Sequence, residues 1–203
     1  MLYNIFIENK PYCLLAIVVL LIFYAVYFIK MIAQKKRGIQ TTQIGKRKEK
    51  PLHRTEMLMS AATFSIVVIQ LVSVLFGINH MPPSVRTVGF VIGLIGDAIF
   101  LAAVVCMRDS WRAGIPESDK TEIVTGGIYK FSRNPAFLGF DLMYIGVFMM
   151  YANIATAVFT AFAIIMLHFQ ILQEEKYLSA TFGEEYAKYK SKVFRYFGRK
   201  HLL

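Results

Sequence analysis

Apolar residues in this chain fall in long unbroken runs rather than in short alternating patterns. Cys13 to Ile29 carries no charge, and the run extends to about Ala33 if the Lys30 stem snorkels. Met57 to Val85 contains no Lys, Arg, Asp or Glu and ends in the turn-forming stretch Asn79-His80-Met81-Pro82-Pro83. Thr87 to Met107 is interrupted only by Asp97, and Ala136 to Gln173 only by Asp141. As a helix the last run would reach about 57 Å, nearly two crossings of a roughly 30 Å hydrocarbon core. A tight turn at Tyr151-Ala152-Asn153 divides it.

The pattern predicts an all-α integral membrane protein of about five transmembrane helices, over residues 13–33, 57–78, 86–107, 136–151 and 153–173, the last two forming a hairpin. Beyond it, residues 174–203 form a C-terminal segment. There Phe182, Tyr186, Tyr189, Val193 and Tyr196 recur at spacings of four, three, four and three, which predicts an amphipathic helix folded against the bundle.

Composition excludes an ordinary soluble domain and a disordered one: 56% of residues are hydrophobic, 14% aromatic and only 18% charged. The net charge of +10 is distributed unevenly. With the N-terminus outside, the inner segments 34–54, 107–135 and 174–203 hold eight, five and seven Lys or Arg. Lys30 borders the first of them, and only Lys10 and Arg86 remain outside. This is a positive-inside pattern, so the long polar segments, and any chemistry they carry, are expected on the cytoplasmic side. The basic loop 34–54 reads as a topogenic segment on anionic headgroups and not as a nucleic-acid surface. Cys13 and Cys106 sit in apolar runs, and nothing in the sequence forms a metal-binding cluster.

Two of the polar segments are richer than topology requires. The loop 108–135 contains Trp111, Gly126-Gly127 and Ser132-Arg133-Asn134-Pro135. Asn134 and Pro135 suit the N-cap and first position of a helix, whose free N–H groups would face an anionic ligand beside the Arg133 guanidinium. The glycine pair allows a close backbone approach. In the second segment Glu174 and Glu175 stand where the last span ends, a place where acids are less expected than bases. Asp141, under two turns into its helix, is a candidate for the same site. Asp97 is expected to make a helix-packing hydrogen bond, and His168 an interhelical contact.

Gly127-Ile-Tyr129…Ser132-Arg133-Asn134-Pro135-x-Phe137-x-Gly139 resembles the Gly-x-Tyr…Arg-His-Pro-x-Tyr-x-Gly motif of the isoprenylcysteine carboxyl methyltransferase family. Glu174-Glu175…Leu178…Phe182-Gly183-x-x-Tyr186-x-x-Tyr189…Val193-x-Arg195 is similar to that family's C-terminal motif. Trp111 matches a tryptophan of its microbial members. The resemblance covers roughly 86–198 and implies a membrane-embedded methyltransferase using S-adenosyl-L-methionine, without a Rossmann domain. By carry-over Ile123, Val124, Gly127, Tyr129, Arg133, Asn134, Pro135, Leu138, Glu174 and Glu175 would bind the cofactor. Trp111, Asp141 and Arg195 would meet the acceptor, and Arg195, Asn134 and Glu175 would act in catalysis.

Asn134 stands where the family has His, and Phe137 where it often has Tyr. Asn can donate and accept hydrogen bonds but does not titrate. Methyl transfer from a sulfonium releases a neutral thioether, so a carboxylate acceptor needs no base. The acceptor is expected to be lipophilic, a prenylcysteine-like carboxylate or another lipid arriving from the bilayer. An NADPH-dependent sterol-type membrane reductase and a non-catalytic membrane scaffold are the alternatives. The first would want an arginine cluster for the 2′-phosphate, to which Arg108, Arg112 and Arg133 are the candidates.

Overall fold

A computed structural model describes residues 2–46, 50–115 and 122–200, with side chains from Lys10 onward. Arg47, Lys48 and Glu49 of the basic loop and Lys120 of the second loop lie outside the described residues. Five helices follow one another: α1 (Leu2–Lys36), α2 (Lys50–Leu75), α3 (Pro83–Met107), α4 (Pro135–Met150) and α5 (Ile154–Lys192). Among the described residues there is no strand beyond two isolated bridges. Four of the helices are long and apolar enough to cross a membrane, and α4 is a shorter apolar helix. The chain is an integral, multi-pass membrane protein.

Local sequence explains where these helices begin. Pro83 opens α3, where its missing N–H costs nothing. The α4–α5 turn falls at the expected place: Asn153 Oδ1 accepts from the Thr156 amide and Thr156 Oγ1 accepts from the Asn153 amide, both at 3.0 Å. That reciprocal cap starts α5 one residue after the turn.

The helices outrun the expected spans. α5 continues without interruption past Gln173, and the amphipathic segment is its extension beyond a kink at Gly183, whose φ of 49° suits a residue without a Cβ. Tyr186, Tyr189 and Val193 on the expected stripe are buried.

The bundle is tightest where α3 crosses α4. A Cβ added at Gly146 would lie 2.5 Å from the Gly93 amide nitrogen, and one at Gly139 would lie 2.9 Å from the Gly96 carbonyl. Small residues here allow the two backbones to touch, the usual means of close packing where lipid removes the hydrophobic drive between helices. Behind the seam Phe23 of α1 stacks on Phe100 of α3 at 4.3 Å and meets Phe140 of α4 edge-on at 4.6 Å. Leu21, Ile29, Phe64, Val105 and Ile154 are exposed on the outside, as bilayer-facing positions should be. Asp97 makes no hydrogen bond through either carboxylate oxygen among the described residues, contrary to the expected packing bond. His168 meets the non-helical C-terminal segment rather than another helix, through Nδ1 to the Tyr196 hydroxyl at 2.5 Å.

Candidate functional site

Opposite ends of the bundle are differently furnished. At one end Arg86 is buried, donating to the Met150 carbonyl at 2.9 Å beneath the rings of Tyr12 and Tyr151. At the other end the loops after α1 and α3, the start of α4 and the C-terminal segment meet around a cavity of about 560 Å³.

The roof of that cavity is built by the loop after α1. Gln34, fully buried, donates to the Trp111 carbonyl at 3.0 Å and accepts from the Thr41 hydroxyl at 2.7 Å. Gln43 donates to the Ala113 carbonyl and Ala113 to the Thr41 carbonyl, at 2.8 and 3.0 Å. The first part of the basic loop therefore holds the 109–115 loop in place, a task its charge pattern did not suggest. Trp111 is buried under this roof, edge-on to Tyr27 at 5.4 Å.

From the roof the cavity runs along two walls. Its apolar wall comes from Tyr24, Tyr27 and Phe28 of α1, from Met59, Thr63, Phe64 and Val67 of α2, and from Phe137, Phe140 and Tyr144 of α4. Its polar wall comes from Arg133 and Asn134 before α4 and from Gln170, Glu174 and Tyr177 of α5. Ile123, Val124, Tyr129 and Trp111 also line it.

Four expected residues are placed elsewhere. Glu175 and Arg195 do not line the cavity but form a knot behind Arg133. Glu175 Oε1 accepts from Arg133 Nε and Nη2 at 3.2 and 2.7 Å, from Asn134 Nδ2 at 3.1 Å and from Arg195 Nε at 3.2 Å. Its Oε2 accepts from Arg195 Nη2 at 3.0 Å. The Glu175 carboxylate raises the Arg195 guanidinium further above its ordinary range, so this cation stays charged. Leu138 and Asp141 stand on the flank of α4, beside and not among the cavity-facing positions. Leu138 lies a quarter turn or more from Phe137 and Tyr144, while Asp141 shares their side of the helix without lining the cavity. Asp141 is instead within electrostatic reach of Tyr196.

Three further expectations are refined. Asn134 occupies the N-cap position of α4 without capping it by its side chain. The Glu175 carboxylate and the Arg195 carbonyl have drawn its amide away, the latter at 3.2 Å. Pro135 is buried at the helix start behind the wall. Gly127, at φ 57°, turns toward α3, where an added Cβ would collide with Cys106 Sγ, and borders an outer hollow rather than the cavity.

The C-terminal segment closes the assembly. Arg133 Nη1 donates to the Val193 carbonyl at 2.9 Å, the Arg133 amide to the Phe194 carbonyl at 3.1 Å and the Gly198 amide to the Phe131 carbonyl at 2.6 Å. Tyr189 donates to the Tyr129 carbonyl at 2.7 Å. Burial pushes the Tyr129 hydroxyl far above its ordinary value, so it stays un-ionised in the wall. Sequence reasoning passed over Gln170, Tyr144 and the α1 tyrosines. An amide within the apolar part of α5, four residues before Glu174, was the available sign for Gln170.

Fold and site together define a multi-pass membrane protein with a ligand-sized cavity walled by bilayer-facing helices on one side and a polar knot on the other. Residues 86–185 match the phospholipid methyltransferase family. Named proteins are similar over part of the chain as well. A probable protein-S-isoprenylcysteine O-methyltransferase of Oryza sativa subsp. japonica is 33% identical over 114 residues, 54% of this chain and 59% of that protein. Protein-S-isoprenylcysteine O-methyltransferase A of Arabidopsis thaliana is 30% identical over 114 residues, 54% of this chain and 57% of that one. The Saccharomyces cerevisiae protein-S-isoprenylcysteine O-methyltransferase is 38% identical over 78 residues, 38% of this chain and 32% of its own length. The chain is thus similar to the phospholipid methyltransferase family and to the protein-S-isoprenylcysteine O-methyltransferases. It spans little more than half the length of the plant relatives it matches.

Proposed function

We propose that the protein moves the methyl group of S-adenosyl-L-methionine onto a lipophilic acceptor, a prenylcysteine-type carboxylate first among the candidates, at the cytoplasmic face of its membrane. One observation carries this reading: Phe28 of α1 and Phe64 of α2 line the cavity and are also exposed on the outside of the bundle. An apolar chain in the bilayer can thus reach the same space that Arg133, Asn134 and Glu174 bound from the far side. The volume of about 560 Å³ falls within the range of small-molecule sites, roughly 300–1,000 Å³.

The donor would supply a sulfonium methyl; the acceptor oxygen forms the new C–O bond as the C–S bond breaks toward sulfur, and no proton moves when the acceptor is a carboxylate. The chain's part is therefore placement and exclusion of water. Arg133 and Asn134 hold the turn before α4 against the C-terminal segment, Trp111 and the loop after α1 roof the space, and the aromatic wall receives the lipid. The reductase alternative loses support here. Every guanidinium nitrogen of Arg133 is engaged by Glu175 or by the Lys190 and Val193 carbonyls, which leaves it poorly disposed for a 2′-phosphate.

Calorimetric titration of the purified protein with S-adenosylhomocysteine, with NADPH in parallel, tests the donor. Transfer of labelled methyl to an S-farnesylcysteine derivative tests the acceptor. One-site binding of the first ligand and methylation of the second are expected. Binding of NADPH alone would move the protein to the reductases, and binding of neither would favour the scaffold reading.

A further inference from the structure

Beyond α5 the chain turns back on itself. Val193 bridges to Arg199, and the Phe194 amide donates to the Gly198 carbonyl at 3.0 Å, closing a short hairpin with Arg195, Tyr196 and Phe197 at its tip. The bundle uses two of these tip residues. Arg195 pairs with Glu175, and Tyr196 bonds to His168 of α5 and stacks on its ring at 6.0 Å. Phe197 is left over, 72% exposed. Phe194 beside it is 48% exposed, and Phe131, whose carbonyl accepts from the Gly198 amide, is 50% exposed. Three outward rings on one small turn form an apolar patch that something should cover.

His168 fixes the depth of this turn. It lies seven residues before Glu175 on α5, about 10 Å nearer the bilayer centre than the buried knot. A tyrosine side chain bridges most of that distance, which leaves the hairpin backbone at headgroup level. His168 also borders the exposed stripe of Ile165, Phe169 and Leu172, so the three rings extend the lipid-facing surface of α5.

Around the rings the charge is of one sign. From Tyr186 to Lys200 there are six Lys or Arg and no acid. Lys130, Lys192, Arg199 and Lys200 are exposed, and among the described residues none of them has an ion-pair partner. Lys200 Nζ stands over the Phe194 ring at 5.6 Å. Rings at headgroup depth fringed by unpaired cations match an anionic bilayer surface, where the rings enter the interface and the cations meet phosphates. An acidic soluble protein would satisfy the cations but would not reach the rings at that depth.

We propose that the 193–199 hairpin docks into the acidic phospholipid headgroups at the cavity end of the membrane, with Phe131, Phe194 and Phe197 in the interface and Lys130, Arg199 and Lys200 on the phosphates. The same hairpin helps build the site. Its Val193 and Phe194 carbonyls accept from Arg133, and its Arg195 carbonyl accepts from Asn134. Docking therefore steadies the closed end of the cavity. That consequence rests on the methyl-transfer reading, whereas the docking itself does not.

Spin labels test it on the full chain in nanodiscs of phosphatidylcholine alone and of phosphatidylcholine with an equal part of phosphatidylglycerol. Labels go on Phe197→Cys and on Glu184→Cys, an exposed position past the Gly183 kink, each with Cys13 and Cys106 replaced. In the anionic discs the label at 197 should be reached by oxygen and shielded from a water-soluble nickel chelate, while the label at 184 stays open to the chelate. Combining Lys130→Gln, Arg199→Gln and Lys200→Gln should return the label at 197 to water, with an unchanged Tm in detergent showing that the variant is folded. Unlabelled protein should bind S-adenosylhomocysteine severalfold more tightly in the anionic discs, an advantage that the three substitutions remove. Equal chelate access at 197 and 184 overturns the proposal and leaves the rings to a protein partner. Shielding at 197 that ignores both phosphatidylglycerol and the three substitutions overturns the role of acidic lipid. Should S-adenosylhomocysteine not bind at all, the donor reading falls, and the label depths still decide the docking.

Discussion

Glu174 and Glu175 are neighbours in sequence, yet one faces the cavity and the other lies behind it, because consecutive helical positions point about 100° apart. The substitutions Glu174→Gln and Glu175→Gln should therefore differ in stability. Arg133 and Glu175 are paired at 2.7 Å with side chains 5% exposed on both sides. Breaking a buried pair by neutralising one partner costs about 3–5 kcal/mol, because the surviving charge stays buried. The Arg195 half of the knot, 34% exposed on the arginine side, adds less. Glu175→Gln is expected to lower the Tm of the detergent-solubilised protein by many degrees, while Glu174→Gln, which breaks no ion pair, leaves it nearly unchanged. Equal Tm shifts in the two variants would contradict the placement of Glu175 in the buried knot and of Glu174 on the cavity wall. The sequence marked both acids but could not say which faced inward, since that depends on where the C-terminal segment folds back. The same holds for Asn134: its type suits a cap, and only the return of Arg195 and Glu175 explains why its side chain does something else.

Elements were more legible than contacts. Unbroken apolar runs located all five helices, and the Asn153 turn was readable because its capping partner Thr156 lies only three residues on. Less legible was the continuation of α5 to its kink at Gly183 and beyond, since Glu174 and Glu175 at the end of an apolar run look like a boundary until helix–helix packing carries the backbone past them. The closeness of α3 and α4 was also hidden; glycines in a span are common and their register across two helices is a tertiary fact. Gly146→Ala tests that seam. The new Cβ would sit 2.5 Å from the Gly93 nitrogen and 2.6 Å from the Gly89 carbonyl, backbone atoms that cannot rotate away. Forcing the helices apart should cost about 1–3 kcal/mol, read as a lower Tm. Gly126→Ala, at a φ of −90° with nothing near its Cβ position, serves as the comparison and should be neutral. A neutral Gly146→Ala would mean that the helices cross more loosely.

At the scale of the whole molecule the charge pattern and the packing agree on which ends belong together. Gln34 at the end of α1, Trp111 after α3, Arg133 before α4 and Arg195 after α5 all meet around the cavity. Tyr12 near the start of α1, Arg86 near the start of α3 and Met150 at the end of α4 meet at the opposite pole. Of the 23 Lys and Arg, only Lys10 and Arg86 belong to the segments at that far pole. Arg86 is spent on the Met150 carbonyl and two tyrosine rings, so even this cation is internally satisfied rather than presented to a membrane surface. On the positive-inside rule, the orientation we propose puts the cavity end on the cytoplasmic side. Single cysteines test it: Lys46→Cys at the cavity end and Asn79→Cys at the far pole, each in a background with Cys13 and Cys106 replaced, labelled in intact cells by a membrane-impermeant maleimide. Labelling of Asn79→Cys in intact cells, and of Lys46→Cys only after permeabilisation, is the expected result. The reverse pattern would turn the molecule over, put the cavity on the outer side of the membrane and contradict the proposed cytoplasmic reaction.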